Sequence, residues 1–240
     1  MTAGAPLVSC IVPVYNGARF IAEAIASILA QDWRPIEVIV VDDGSTDTTP
    51  EILAGFGAPV RVIRQDNAGP VVARNRGIAA ATGEFLSFLD ADDTWVPGKL
   101  GRQVGFLLAE PALGFCVGQV QNFWEDEVAD EGERLGDSVR ARPIAGYVTG
   151  TLVVRREVAG RVGPFDVSLA HGDSADWFQR AAQLGVRGEL LPEVLLRRRL
   201  HLANRSRVHA QGSRDEFLRL LKRAVDRRRS PEPPPQDPPA

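Results

Sequence analysis

Four short apolar runs, residues 7–14, 36–41, 60–63 and 85–89, constrain the fold of this chain more than any other feature. They are largely continuous and rich in β-branched residues, as strands buried on both faces must be. The stretches between them read as helices. Residues 18–30 carry Phe20, Ile21, Ala24, Ile25, Ile28 and Leu29 at helical spacing, Thr46 or Asp47 can cap a helix running to Phe56, and residues 71–81 are Ala-rich and stop before Gly83. Such alternation builds an α/β fold, a mostly parallel Rossmann-like sheet with helices on both faces. Right-handed crossovers then place the carboxyl ends of all four strands on one edge.

That edge gathers the polar residues that terminate the runs. Tyr15 and Asn16 follow the first, Asp42 and Asp43 the second, and Asp90, Asp92 and Asp93 the fourth. Carboxylates crowded together repel one another unless a cation or ligand neutralises them, and open α/β sheets bind ligands at this edge. Asp90 and Asp92 offer hard oxygens to Mg²⁺ or Mn²⁺, ions that take one or two protein carboxylates and complete their shells with water and substrate phosphate. The competing reading of both acidic clusters is an Asp-rich turn. Arg74 and Arg76 lie on the third crossover helix; an arginine suits a diphosphate or a planar base edge, whereas Arg76 reads better as part of a solvated face.

Composition narrows the classes further. The 240 residues are 44% hydrophobic and 25% charged, with a net charge of −3 that gives no whole-chain attraction for nucleic acid. The N-terminus lacks the basic and apolar regions of a secretory signal, and no apolar stretch reaches the roughly 18–20 residues of a membrane span. Cys10 and Cys116 sit in strand-like segments without metal-ligand spacing. They read as buried free thiols, and the expectation is a cytoplasmic protein.

Beyond Pro97 the pattern is less regular. A helix to about residue 110 precedes a strand over 113–123, an acidic surface loop over 125–137 and a strand over 147–154. A turn at Gly163, Pro164, Phe165 and Asp166 leads to a helix over 174–184 and a late strand over 190–200. Residues 213–229 read as a basic amphipathic helix, suited to a peripheral membrane contact or a homodimer contact, and 230–240 as a disordered Pro-rich tail. Asp173 and Asp176 share a helix face, where they can act as bases or cap the helix.

Five motifs in order carry a resemblance: Val12 to Asn16 with Pro13 and Tyr15, Val40 to Asp47 with Asp42 and Asp43, Asn67 to Gly69, Ala73 to Gly77 with Arg74 and Asn75, and Phe88 to Asp93 with Asp90, Ala91 and Asp92. From about residue 7 to 207 the chain resembles the family 2 glycosyltransferases, nucleotide-diphospho-sugar transferases of single-domain GT-A type. The resemblance implies that residues 7–110, after a tail over 1–6, form the nucleotide-sugar-binding half and 111–212 the acceptor-binding half. Pro13 and Tyr15 would flank the base, Asp43 would bond its edge, and Arg74 would lie near base or diphosphate. Asp90, Ala91 and Asp92 would contact the donor, with Asp92, Asp93 and His201 as metal ligands.

The family's catalytic Glu-Asp pair is missing, and Ser174 stands where its Asp would be, so Asp173 or Asp176 must supply the base. His201 belongs to an Arg-x-His-x-x-Asn-x-Ser stretch from Arg199 to Ser206 that also resembles the family. Arg197 and Arg198 can neutralise diphosphate, and Trp124 or Trp177 can form an acceptor platform. The implied reaction is an inverting transfer from a nucleotide diphosphate sugar, UDP- or dTDP-linked, to a glycan, lipid-linked or small-molecule acceptor. Two rivals remain: a haloacid-dehalogenase-like phosphatase using the Asp90 to Thr94 run, and a non-catalytic sugar-nucleotide-binding protein.

Overall fold

The computed structural model describes residues 4–135, 142–169, 172–204 and 207. Strands β1 (Val8–Val14), β2 (Ile36–Asp42), β3 (Val60–Arg64) and β4 (Phe85–Phe88) occupy the four apolar runs and pair in parallel, in the order β3-β2-β1-β4. Every residue of β1 is buried, because helices cover both faces of the sheet. The crossovers are α1 (Ile21–Leu29), α2 (Thr49–Ala54) and α3 (Pro70–Ala80). Ile21, Ala24, Ile25 and Leu53 from α1 and α2 pack with Cys10, Val12 and Val38 on one face. Val71 and Ala73 from α3 pack with Ile11, Ile39 and Val41 on the other. The α3 contact is close: a Cβ on Gly77 would stand 2.4 Å from Ile11 Cγ2.

Past β4 the sheet becomes mixed. A two-residue strand β5 (Thr94–Trp95) precedes α4 (Lys99–Ala109), β6 (Phe115–Trp124), α5 (Ala129–Leu135), β7 (Ile144–Ala145), β8 (Val153–Arg155), α6 (Arg156–Val162), α7 (Asp173–Gln183) and β9 (Gly188–Leu200). The order continues β4-β8-β6-β9-β5, with β7 against β6; β8 is antiparallel to both its neighbours, and β9 is parallel to β6. Leu100, Val104 and Leu107 of α4 join the α1 face, while Val158 and Trp177 of α6 and α7 join the α3 face.

The register aligns Cys10 with Ser87, Ser87 with Val153, and Val153 with Cys116 in one row across four strands. At about 4.8 Å per strand the two thiols stand ~14 Å apart, beyond disulfide reach. Both are free and buried, and burial pushes each thiol up to about 12.

Three local expectations are corrected. The acidic segment after Trp124 is not a loop: Asp126–Val128 forms a 3₁₀ turn that leads into α5. Asp130 and Glu131 lie in the first turn of α5, where the helix dipole favours acids, and Glu131 pairs with Arg207. The strand expected over 147–154 keeps only its last residues, because a 3₁₀ turn, Thr149–Thr151, interrupts it. Asp173 and Asp176 do not cap α7; Gly172 occupies the N-cap position without a side-chain cap, and both carboxylates are engaged by arginines. The 213–229 helix and the Pro-rich tail lie outside the described residues. Among the described residues no helix is long and apolar enough to cross a membrane.

Candidate active site

The parallel strands deliver Tyr15, Asp42, Asp43 and the Asp90 cluster to one edge of the sheet. The loops after β1 and β2 are stitched together there. Asn16, left-handed at φ 50°, accepts the backbone N–H of Thr46 on Oδ1 at 2.8 Å, while its own N–H donates to Ser45 Oγ at 2.9 Å. The Gly17 N–H donates to Thr49 Oγ1 at 2.9 Å. This frame leaves the Tyr15 ring half exposed, whereas Pro13 is buried within β1.

Asp43 is buried and accepts three bonds from the loop after β3: from Gln65 Nε2 at 2.7 Å, Ala68 N at 2.9 Å and Gly69 N at 2.8 Å. Gly69, at φ 94°, wraps the backbone around that carboxylate just before α3 begins at Pro70. Asp43 therefore holds the start of the helix that carries Arg74.

Arg74 is buried and joins the two halves of the domain. Its guanidinium forms a short ion pair with Asp173 on α7 and reaches Asp90 Oδ1 at 3.2 Å, over the Phe165 ring at 5.3 Å. Arg74 Nε is buried without a hydrogen-bond partner among the described residues. Beside Arg74, Asn75 exchanges two bonds with the Phe165 backbone, at 2.8 and 2.9 Å, and so fixes α3 to the loop that precedes α7. Asp176 pairs instead with Arg180 at 2.7 Å, one turn along α7. The exposed Arg76 bonds to Gln65 in the loop beside it, at 3.3 Å.

The cluster after β4 divides three ways. Burial, with Asp92 and Asp173 nearby, raises the Asp90 carboxyl above its usual range, against the opposing pull of Arg74. Asp92 Oδ2 lies 3.1 Å from His201 Nε2 and 3.2 Å from Asn204 Nδ2, although 109 and 112 residues separate them in sequence. Asp93 turns inward, where its Oδ1 accepts the Arg199 N–H at 2.9 Å; burial, then Asp92 and Asp90, push it well above the carboxylate range.

Arg199 holds the arm that carries His201. It is buried, pairs with Glu23 and Glu125, donates from Nε to the Asp92 carbonyl at 2.9 Å, and stacks on Phe20 and Phe123 at 4.5 and 4.6 Å. The sequence drew attention to Arg197 and Arg198 and gave no role to Arg199 or Asn204. Alternation along β9 was the available signal: Arg198 lines the cleft, while Arg197 and Arg199 both stack on Phe123.

Arg74, Asp90, Asp92, Asp93, Asp173, Ser174, Arg198 and Asn204 line one cleft of about 280 Å³. Neither tryptophan forms an acceptor platform there: Trp177 is buried in the core beneath α7, and Trp124 packs on Gly132 of α5. Among the described residues no group of three or more His, Cys, Asp or Glu side chains is arranged around a metal position. Of the residues present, Asp92 and His201 are the pair that could hold a cation taking most of its shell from water and phosphate.

The profile of Glycosyl transferase family 2 matches residues 9–165, and the chain belongs to that family. A Rickettsia typhi protein named as an uncharacterized glycosyltransferase is 45% identical over 208 residues, covering 82% of this chain and 64% of that protein. A Nostoc relative with the same description is 36% identical over 173 residues, covering 66% of this chain and 54% of its own length. The chain thus spans less than two thirds of both relatives. Among solved structures, the Pyrobaculum calidifontis mannosyltransferase PcManGT, in complex with GDP-Man and Mn²⁺, superposes with a TM-score of 0.68 at 26% identity, over 96% of this chain and 66% of that one. S. aureus TarS 1–349 in complex with UDP-GlcNAc gives 0.66 at 21% identity, over 82% and 59%, and shares the GT-A-like fold. The Asp90 to Thr94 run follows the fourth strand rather than the first, so the phosphatase reading has no counterpart in this topology.

Proposed function

We propose that the chain transfers a sugar from a nucleotide diphosphate donor to an acceptor hydroxyl with inversion, the 7–110 half binding the donor and the 111–212 half the acceptor. The observation that carries this reading is the convergence of Asp92, His201 and Asn204 beside the pair formed by Arg74 and Asp173. Tyr15 offers an exposed ring to the base. Arg74 Nε, buried and without a hydrogen-bond partner among the described residues, is a donor in want of an anionic oxygen, which the diphosphate would supply.

Asp92 and His201 would hold a divalent cation, and Mn²⁺ is the first to test given the ion bound to PcManGT. Such an ion would supply charge neutralisation to the departing diphosphate. Asp93 gives one oxygen, Oδ1, to the Arg199 N–H and so holds the arm; its other oxygen keeps it a second candidate ligand at the cleft. Of the two expected bases Asp173 is favoured, because it lines the cleft while Asp176 is tied to Arg180. Arg74 orients the Asp173 carboxylate, leaving it to receive the acceptor's proton.

Calorimetric titration with UDP-, dTDP- and GDP-sugars, with and without Mn²⁺, tests the donor assignment; metal-dependent binding is expected and should disappear in Asp92→Ala. An Asp173→Asn variant should still bind donor and lose about 10²–10⁴-fold in transfer, the usual contribution of a general base. Full metal-dependent transfer by Asp92→Ala would overturn the metal assignment. Donor binding by the wild type with no hydrolysis or transfer would favour the non-catalytic reading.

A further inference from the structure

Besides Arg74, Asp90, Asp92 and Asp173, the cleft is lined by an apolar group, Ile144, Ala145, Val148 and Leu196, gathered around Val120, with Arg198 two residues beyond Leu196 on β9. Residues 144–148, Ile-Ala-Gly-Tyr-Val, form a ridge without a charged side chain. Ala145, Tyr147 and Val148 are exposed, the last two by 49% and 40%.

The ridge is held firmly. Gly146 N donates to Gly118 O at 3.0 Å, and the Thr151 hydroxyl bonds back to the carbonyls of Gly146 and Val148. The Tyr147 ring meets Phe178 edge-on at 5.3 Å, and Phe178 lies on α7, whose first turn presents Asp173 and Ser174 to the cleft. Exposed apolar surface held in place beside a charged cleft marks a binding surface. A diphosphate has no use for it.

We propose that the 144–148 ridge is the acceptor subsite, and that the acceptor is an alcohol or phenol whose hydroxyl is carried on an apolar body. The inference rests on the sugar-transfer reading of the same cleft. In the transfer, the acceptor oxygen bonds to the anomeric carbon while the bond from that carbon to the diphosphate oxygen breaks. The electron pair leaves on the diphosphate and the hydroxyl proton goes to Asp173.

Ligand-observed saturation-transfer NMR on the full chain reads acceptor binding without turnover. Hexan-1-ol and 4-methylphenol are compared with free glucose and N-acetylglucosamine, on the wild type and on Val148→Asp. The expected result is saturation of the two alcohols, with weak or no signal from the free sugars, and affinity at least about tenfold weaker in Val148→Asp, the scale at which an apolar pocket discriminates. Tyr147→Ser gives the same test should Val148→Asp fail to fold. Val167→Asp, at an exposed apolar residue outside the cleft, should change nothing.

A long-chain prenol bound more tightly than hexan-1-ol makes the source a lipid, and equal binding makes it a small molecule; both support the proposal. Saturation of the sugars alone, alcohol signals that survive both ridge variants, or no alcohol signal from the full chain would overturn it. Alcohol binding to a chain that binds no nucleotide sugar would overturn the transfer reading, and the acceptor role with it.

Discussion

Lys99 is the most unusual side chain in the core, and replacing it with methionine has a signed consequence. It is fully buried at the start of α4, with Nζ donating to Ser87 Oγ at 2.9 Å and lying 4.2 Å from the centre of the Trp95 ring. Burial lowers the amine from the ordinary 10.5 to about 7. In the unfolded chain the group still binds its proton up to 10.5, so between pH 7 and 10.5 the unfolded state holds more protons and stability rises with pH. Below pH 7 the full cost applies, about 5 kcal/mol at roughly 1.4 kcal/mol per pH unit. Lys99→Met removes that cost and loses the Ser87 bond and the Trp95 contact, together about 2 kcal/mol. The variant should therefore be about 3 kcal/mol more stable than the wild type near pH 7, and the gap should close by about pH 9. Urea unfolding of both proteins at half-unit steps from pH 6 to 9 measures this; the two buried thiols, which titrate near 9 in the unfolded chain, are common to both proteins and largely cancel in the difference. A gap that stays constant across that range, or a methionine variant less stable at pH 7, would refute the assignment of a destabilising buried amine.

Two further outcomes follow from the packing. Arg199→Met removes the guanidinium that bonds Glu125 and the Asp92 carbonyl and frees the His201 arm; since Glu23 is exposed and Glu125 keeps Arg19, it should cost about 1–3 kcal/mol in urea unfolding, and it should weaken metal-dependent donor binding in calorimetry. Gly77→Val drives a side chain into Ile11 where α3 packs on β1, and thermal unfolding should show a loss of about 1–3 kcal/mol.

The first half of the fold was legible because each strand is a single uninterrupted apolar run whose pairing follows from the crossover rule. The second half was less so. β8, β7 and β5 pair antiparallel over only two or three residues, the long parallel pairing of β6 with β9 is broken by register shifts, and β7 and β8 are too short to carry a period. The strand expected over 147–154 fails where the Thr151 hydroxyl bonds the Gly146 carbonyl and bends the chain, a choice set by one side chain. The acidic segment looked like a solvated loop since its partners, Arg19 and Arg207, lie far away in sequence. Site residues were read from local motifs, which identify types and not partners. Asp93 resembles Asp90 and Asp92 in sequence yet faces the interior, and only the β9 arm, more than a hundred residues later, explains why.

Those partners also bear on the missing Glu-Asp pair. With the acid at position 173 bound to Arg74 and a serine at 174, the chain presents one carboxylate on that stretch of the cleft where the family has two. Arg74 touches both Asp173 and Asp90, so a shift of α3 moves the two acids together. An anionic oxygen seated at Arg74 Nε would draw on the same guanidinium that restrains Asp173. Donor binding would then weaken the hold on the base at the moment an acceptor hydroxyl needs it. On this reasoning Arg74→Lys, which keeps the charge and loses the planar fork, impairs transfer more than donor affinity, whereas a purely structural Arg74 would lower both through instability.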